Sequence, residues 1–194
     1  MPIRFVQTIP PVDAATLIAS SGFVKPVTDG LRQDVDVHLH EGQTVFSILD
    51  DDTLVGFAIF NRFENLLYLG GIILRESHQG KGIAFQAVAA AQEQRRSRWF
   101  GMRTQSLRMW VAAHKWVDTL YPHPTIKHEG YFAAAQTLSS RLHMDAPVVA
   151  GFYGGPLYGA KPMHHDPKLQ RWWDLICDFE RGDAVVCVGR FPRG

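Results

Sequence analysis

Residues 75–87 read Arg-Glu-Ser-His-Gln-Gly-Lys-Gly-Ile-Ala-Phe-Gln-Ala and follow directly on the apolar run Leu66–Leu74, LLYLGGIIL. The apolar run has the character of a strand. From Gly82 the spacing becomes helical, with Ile83, Ala84, Ala87, Val88 and Ala91 on one face and Gln86, Gln92, Glu93 and Arg96 mostly elsewhere. A strand, a turn carrying two glycines and a lysine, and a helix start therefore succeed one another. The first turn of a helix presents unpaired N–H groups and about half a positive charge. Gly80 and Gly82 admit an anion to the backbone without a Cβ in the way, and Lys81 adds a point charge. The arrangement predicts a phosphate-binding turn, the plain alternative being a turn that is glycine-rich for structural reasons alone.

Working outward, residues 3–9 read as a strand and residues 12–20 as a short helix, with Pro10-Pro11 setting the turn between them. Residues 44–49 and 54–60 are strand-like runs joined across Asp50-Asp51-Asp52, which predicts a hairpin. The polar turn 61–65 leads into Leu66–Leu74, so three antiparallel strands precede the glycine turn. Gly70-Gly71 within the last strand call for a bulge or a close backbone approach. Arg95, Arg96 and Arg98 complement the helix C-terminus, and Gly101 is expected to end it.

Composition bounds the function classes. The 194 residues are 46% hydrophobic and 20% charged, which fits a single domain over residues 1–194. A formal net charge of +1 argues against a general polyanion binder, and nucleic acid is not expected as a partner. The aromatic and basic residues of 95–108 already have a structural explanation at a helix end. No apolar stretch approaches the roughly 20 residues of a membrane span, and no signal-peptide pattern is seen, so a cytoplasmic protein without a membrane partner is expected. Cys177 and Cys187 are expected as reduced, buried thiols.

Two familiar phosphate loops fail on spacing. A P-loop needs Ser or Thr after its Gly-Lys, where this chain has Gly82, and a dinucleotide fingerprint needs Gly or Ala at 85, where it has Phe85. Gln79-Gly80-Lys81-Gly82-Ile83-Ala84 instead resembles the acyl-coenzyme A loop of the GNAT acyltransferase superfamily, with Gln79, Gly82 and Ala84 at its three defining positions. The resemblance covers residues 3–106. It implies an α/β (α+β) fold with a mixed, mostly antiparallel central sheet, splayed between its fourth and fifth strands and flanked by helices. Residues 1–106 would form the cofactor half and 107–194 an acceptor-side elaboration.

By that resemblance, acetyl-coenzyme A (acyl-CoA) is the co-substrate. Backbone N–H groups of Gln79, Gly80, Lys81, Gly82, Ile83 and Ala84 would hold its pyrophosphate, with Lys81 or Arg75 near the phosphates. The main chain of Ile72, Ile73 and Leu74 would bind the pantetheine arm as an added strand. The implied activity is direct N-acyl transfer to an amine acceptor, either a small molecule or a protein N-terminus or lysine. A catalytically inactive acyl-CoA-binding sensor is the alternative. It stays open because this chain departs from the family where catalysis is concerned. Where many members carry a glutamate early in the fourth strand, the chain has Asn65-Leu66-Leu67-Tyr68, leaving Glu64 and Tyr68 as candidates. Residues 100–104 read as the fifth strand and 106–120 as the next helix, which offers His114 and then Tyr121 in place of the family's tyrosine. His114 on a tryptophan-rich helix and Tyr121 before Pro122 also have ordinary packing explanations.

The last third reads as helix over 130–142, strand over 146–150, helix over 169–179 and a closing strand over 183–191. Residues 151–167, GFYGGPLYGAKPMHHDP, are too rich in Gly and Pro for regular structure. Tyr153, Tyr158 and His164, with His165, are candidates for an acceptor pocket there, or equally for a loop packed by its own aromatics. Nine histidines raise the question of metal. Neither His38-x-His40-Glu41 nor His164-His165-Asp166 matches a zinc signature, so no metal site is expected. A homodimer is allowed for, built on exposed tryptophans or on the C-terminal strand.

Overall fold

The structure is a computed structural model that describes residues 2–7, 14–21, 39–126, 129–158 and 160–192. The chain divides into two compact units, Met1–Ser97 and Arg98–Gly194. The turn expected at Pro10-Pro11, the ends of the first strand and helix that flank it, and His38 lie outside the described residues.

In the first unit, β1 (Arg4–Gln7), β2 (Thr44–Asp50), β3 (Thr53–Phe63) and β4 (Leu66–Leu74) form an antiparallel sheet in chain order. The β2–β3 hairpin closes where Asp50 pairs with Thr53, and Asp51 takes a positive φ of 53° there. β3 runs three residues further than expected, to Phe63, so the polar turn over 61–65 shrinks to Glu64-Asn65. Side chains explain the extension. Asn61 Oδ1 accepts the Gln43 N–H at 2.8 Å, and Gln43 Oε1 accepts the Arg62 N–H at 2.8 Å. The polar residues thus satisfy backbone groups that would otherwise end the strand.

Helix α1 (Ala14–Ala19) packs on β3 and β4, with Leu17 buried beside Leu39, Val45, Phe57 and Ile59. Phe46 and Phe60, next to each other on neighbouring strands with ring centroids 5.9 Å apart, are also fully buried. Helix α2 (Ile83–Arg95) buries Ile83, Ala87, Val88 and Ala91, the expected face, against β3 and β4. Its end differs from expectation. Arg96 caps it in a left-handed conformation with φ 46°, donating its N–H to Gln92 O at 2.7 Å, and Gly101 lies six residues beyond α2, inside a strand. The Gln92 side chain holds both backbone groups of Ser97, so the chain is turned out of the helix without a glycine.

The second unit contains β5 (Trp99–Thr104), α3 (Leu107–Ala113), β6 (Leu120–Tyr121), α4 (Glu129–Arg141), β7 (Val148–Val149), α5 (Pro167–Ile176) and β8 (Ala184–Arg190). β8 pairs antiparallel with β5, β6 and β7, and its residues Ala184 to Val188 are fully buried. The helix expected over 106–120 is shorter. Ser106 caps it, its Oγ accepting the Met109 N–H at 3.3 Å, and it ends at Ala113. Trp116 then buries edge-on against Phe100 with centroids 5.3 Å apart, and Leu120-Tyr121 become a strand paired with Gly189 and Val188. Likewise α5 begins at Pro167 behind an Asp166 cap and stops at Ile176, with Cys177 already extended, and the strand over 146–150 shortens to two residues.

The two features that allow for a homodimer are in part engaged within this unit. Among the five tryptophans, Trp110, Trp116 and Trp173 are buried and Trp99 and Trp172 half-buried, while the C-terminal strand is paired on both sides. The cysteines are free and buried, and burial pushes the Cys177 thiol up to about 12 and that of Cys187 upward as well.

Candidate functional site

β4 and the turn after it carry the site. Along the β3–β4 ladder Ile59 faces Gly71 and Phe60 faces Leu69, so Gly70 is an extra residue and the strand bulges there. That is the device the glycine pair suggested. The Tyr68 ring lies against it, with Cε1 3.6 Å from where a Gly70 Cβ would stand, while a Cβ on Gly71 would meet no protein atom within 4 Å. Beyond the bulge, Ile72, Ile73 and Leu74 pair with Ala58, Phe57 and Gly56 and remain half-exposed. Gly56 is required by this approach, since a Cβ would stand 2.4 Å from the Ile73 carbonyl oxygen.

The chain leaves β4 through a single 3-10 turn at Glu76–His78 that is braced from three directions. The Glu76 N–H donates to Ser20 O at 3.0 Å, just past α1. The Gln79 side-chain amide donates to Ser21 O at 2.9 Å and to Leu74 O at 3.1 Å. His78 Nε2 stands 3.1 Å from Asp50 Oδ2. Gln79 therefore contributes a side-chain brace as well as a backbone N–H.

Gly80 and Gly82 then adopt positive φ values of 74° and 75°, and a Cβ on either would meet nothing within 4 Å. The first helical hydrogen bond of α2 runs from Gln86 N–H to Gly82 O at 3.2 Å, leaving the N–H groups of Ile83, Ala84 and Phe85 to the open end of the helix. Lys81 is exposed beside them, and nothing accepts a hydrogen bond from the buried Nε of Arg75 among the described residues. Exposed donors at a helix N-terminus, a neighbouring exposed lysine and no Cβ at the two glycines are the features that an anion cradle requires.

The catalytic candidates are dispersed. Glu64 is exposed at the β3–β4 turn with φ 56°, six residues before Gly70, which along an extended strand is about 20 Å. In the second unit His114 caps the C-terminus of α3, its ring 4.5 Å from Trp110 and 5.4 Å from His123 between centroids. Burial, and then the neighbouring His123, lower the His114 pKa below the usual histidine value. Tyr121 packs edge-on to Phe132 with centroids 5.9 Å apart, and burial raises its phenol pKa.

The loop 151–167 is bolted down inside the second unit. Buried Gln105 accepts the Leu157 N–H at 3.0 Å and donates to Phe179 O at 2.9 Å. Tyr153 lies by Arg103, whose guanidinium is 4.2 Å from the Phe152 ring centroid and 5.7 Å from that of Tyr153, and Tyr158 neighbours Tyr153. Burial, and then Tyr153, raise the Tyr158 phenol to about 12. His164 is elsewhere, in the cap of α5, where its Nδ1 accepts the Asp166 N–H at 3.1 Å. Among the described residues no three His, Cys, Asp or Glu side chains are grouped as metal ligands.

The sequence model of the Acetyltransferase (GNAT) family matches residues 16–115, more than half of the chain and including the whole of β4, the glycine turn and α2. The chain belongs to the GNAT acetyltransferase family. Solved structures share the fold. A GNAT family acetyltransferase from Elizabethkingia anophelis, with acetyl-CoA bound, is 11% identical with a TM-score of 0.54 over 98% of this chain and 97% of its own. The IAA acetyltransferase from Bacillus cereus is 10% identical with a TM-score of 0.55 over 98% and 99%. An acetyltransferase from Bacillus subtilis in complex with CoA is 15% identical with a TM-score of 0.52 over 98% and 100%. No curated protein matches the chain in sequence.

In this GNAT protein the residues that sequence reasoning passed over are those that hold the candidates in place. Gly56, Arg103 and Gln105 act on partners at least 17 positions away, while His123 and Asp183 combine nearby side-chain partners, His114 and Arg181, with backbone groups, and no motif spacing marks any of the five. The one available signal was polar or charged character inside apolar runs, as at Arg103 in β5 and Asp183 before β8.

Proposed function

We propose that this GNAT protein transfers an acetyl group from acetyl-CoA to the nitrogen of an amine acceptor. One observation carries the reading: the bulge in β4 is followed by a braced turn whose two positive-φ glycines open onto the N-terminus of α2. The N–H groups of residues 79–84 would take the pyrophosphate, with Lys81 and Arg75 near the phosphates. The main chain of Ile72, Ile73 and Leu74 would take the pantetheine arm, and the open space over Gly71 leaves room for it.

In the reaction, the amine nitrogen attacks the thioester carbonyl carbon, the C–N bond forms, the C–S bond breaks and the thiolate takes up a proton. A lysine-like amine with pKa near 10.4 needs roughly 4.6 kcal/mol to be deprotonated at pH 7, so a proton acceptor is required. His114, held neutral by burial, is competent to accept a proton near pH 7, and Tyr121, its phenol raised, is competent to donate one. Tyr68 stands against the β4 bulge, and Glu64 at the far end of that strand is the weakest of the four candidates. We place the enzyme in the cytoplasm, which fits two buried free thiols. No described helix is long and apolar enough to cross a membrane.

The test is calorimetric titration of acetyl-CoA, with ATP and NAD as controls, into wild type and Gly82→Asp, followed by thiol release with a panel of amines. Aspartate tolerates a positive φ better than most residues, so the variant is expected to fold. Micromolar binding of acetyl-CoA alone, lost in the variant, and thiol release with at least one amine are expected. A wild type that does not bind acetyl-CoA overturns the reading, and one that binds but releases no thiol is a sensor.

A further inference from the structure

Arg103 is the fifth residue of β5 and half-buried, on the strand face opposite the buried Phe100, Met102 and Thr104. Its guanidinium lies over Phe152 at 4.2 Å from the ring centroid and 5.7 Å from that of Tyr153. Among the described residues no carboxylate pairs with it. The contrast inside the same unit is Arg181, whose Nε and Nη2 both donate to the Asp183 carboxylate.

Stacking occupies the face of a guanidinium and leaves its edge, where all five N–H donors lie in one plane. That edge is a fork of donors matching the geometry of a carboxylate. The surroundings suit such a guest. Burial raises the phenol pKa of Tyr153 and Tyr158, so neither carries a charge that would repel an anion. Gly154 and Gly155, next along the chain, place no Cβ near any protein atom within 4 Å.

We propose that Arg103, lying over the Phe152 and Tyr153 rings, binds the carboxylate of a small amino-acid-like acceptor, so that the substrate is an amine carrying an acid group and not the lysine of a basic peptide. Calling the anion an acceptor rests on the acyl-transfer reading. The anion site itself does not.

The test therefore uses binding. Wild type, Arg103→Gln and Arg103→Lys are titrated with a panel of N-acetylated amino acids and with the same compounds as carboxamides. The Arg103 Nε–Hε resonance is followed by NMR. At least tenfold tighter binding of acids than amides is expected in the wild type, with a shift of that resonance. Arg103→Gln should lose the preference, and Arg103→Lys, a point charge without the fork, should keep only part of it. Equal binding of acids and amides, no binding of any acid, or binding that leaves the Arg103 resonance unmoved would overturn the proposal. Should Arg103→Gln fail to fold, the wild-type resonance still decides. Acid binding together with failed acetyl-CoA binding would sink the transfer reading and leave the carboxylate site standing.

Discussion

Gly182 and Gly155 meet backbone to backbone: a Cβ on Gly182 would stand 2.2 Å from the Gly155 nitrogen and 2.6 Å from its carbonyl oxygen. Because Gly182 also has φ 83°, Gly182→Ala adds left-handed strain to a clash that only main-chain movement relieves. The two effects together are expected to cost about 2–4 kcal/mol. Urea unfolding would measure it. A loss below about 0.5 kcal/mol, the usual range for a surface substitution, would mean that the loop does not hold this position.

Asp183, next in the chain, is the second bolt of the same loop. Its carboxylate takes Arg181 Nε and Nη2 at 2.7 Å each, and the N–H groups of Gly151 and Asp178 at 2.9 Å. The Arg181 hydrogen bonds lower its pKa from 3.8 to about 2. The contribution to stability is complete above about pH 4 and is lost as pH falls through 2, because the unfolded chain takes up the proton first. With Arg181 more than half exposed, the bidentate pair is expected to be worth on the order of 1–2 kcal/mol. Urea midpoints of wild type and Asp183→Asn should differ at pH 6 and converge toward pH 2. A difference that persists unchanged at pH 2 would show that the carboxylate charge is not what the loop uses.

How far these features were legible in the sequence depends on how far apart their partners lie. The strand–turn–helix unit around Gly80 and Gly82 was readable because its parts are contiguous and each obeys a local rule: an apolar run, positive-φ glycines, then a helical period. The bulge at Gly70 was readable for the same reason. The end of α2 was misread, since Arg96 adopts the left-handed cap that a glycine was expected to supply, and the Gln92 side chain that stabilises it looks like any exposed helical glutamine. The helix over 106–120 was overextended because its later residues are apolar, and apolar character alone does not tell a helix from the strand that Gly189 admits beside Val117 and Thr119. Arg103 and Gln105 meet their partners some 50 to 75 residues away, beyond anything that periodicity encodes.

His114 and His123 give a pH signature. Burial lowers the pKa of both, and His123 lowers that of His114 further. His123 Nδ1 accepts the Thr125 and Ile126 N–H groups at 3.2 and 3.0 Å, so protonation there would also break local hydrogen bonds. Folded pKa values below the unfolded 6.5 mean that stability is full above about 6.5 and falls as pH drops toward the folded values. NMR titration should place His114 below 6.5 in wild type. His123→Phe should move it upward only in part, burial being the larger cause. A His114 value at or above 6.5 in wild type would remove the case for it as a neutral base.

Gln79 and Lys81 act on the same cradle by different physics, and salt separates them. Gln79 braces the turn through two amide hydrogen bonds, to Ser21 O and Leu74 O, whereas Lys81 is an exposed charge. Gln79→Ala should loosen the turn, cost about 1–2 kcal/mol of stability and weaken acetyl-CoA binding to a similar degree at every ionic strength. Lys81→Ala should leave stability within about 0.5 kcal/mol. It should weaken binding by several-fold at low salt and converge on wild type near 1 M salt, where the screening length is about 3 Å. Calorimetric titrations between 20 mM and 1 M salt, planned as roughly decade-spaced points, follow both variants. A Lys81→Ala loss that is independent of salt would mean that the lysine shapes the turn and does not meet a phosphate.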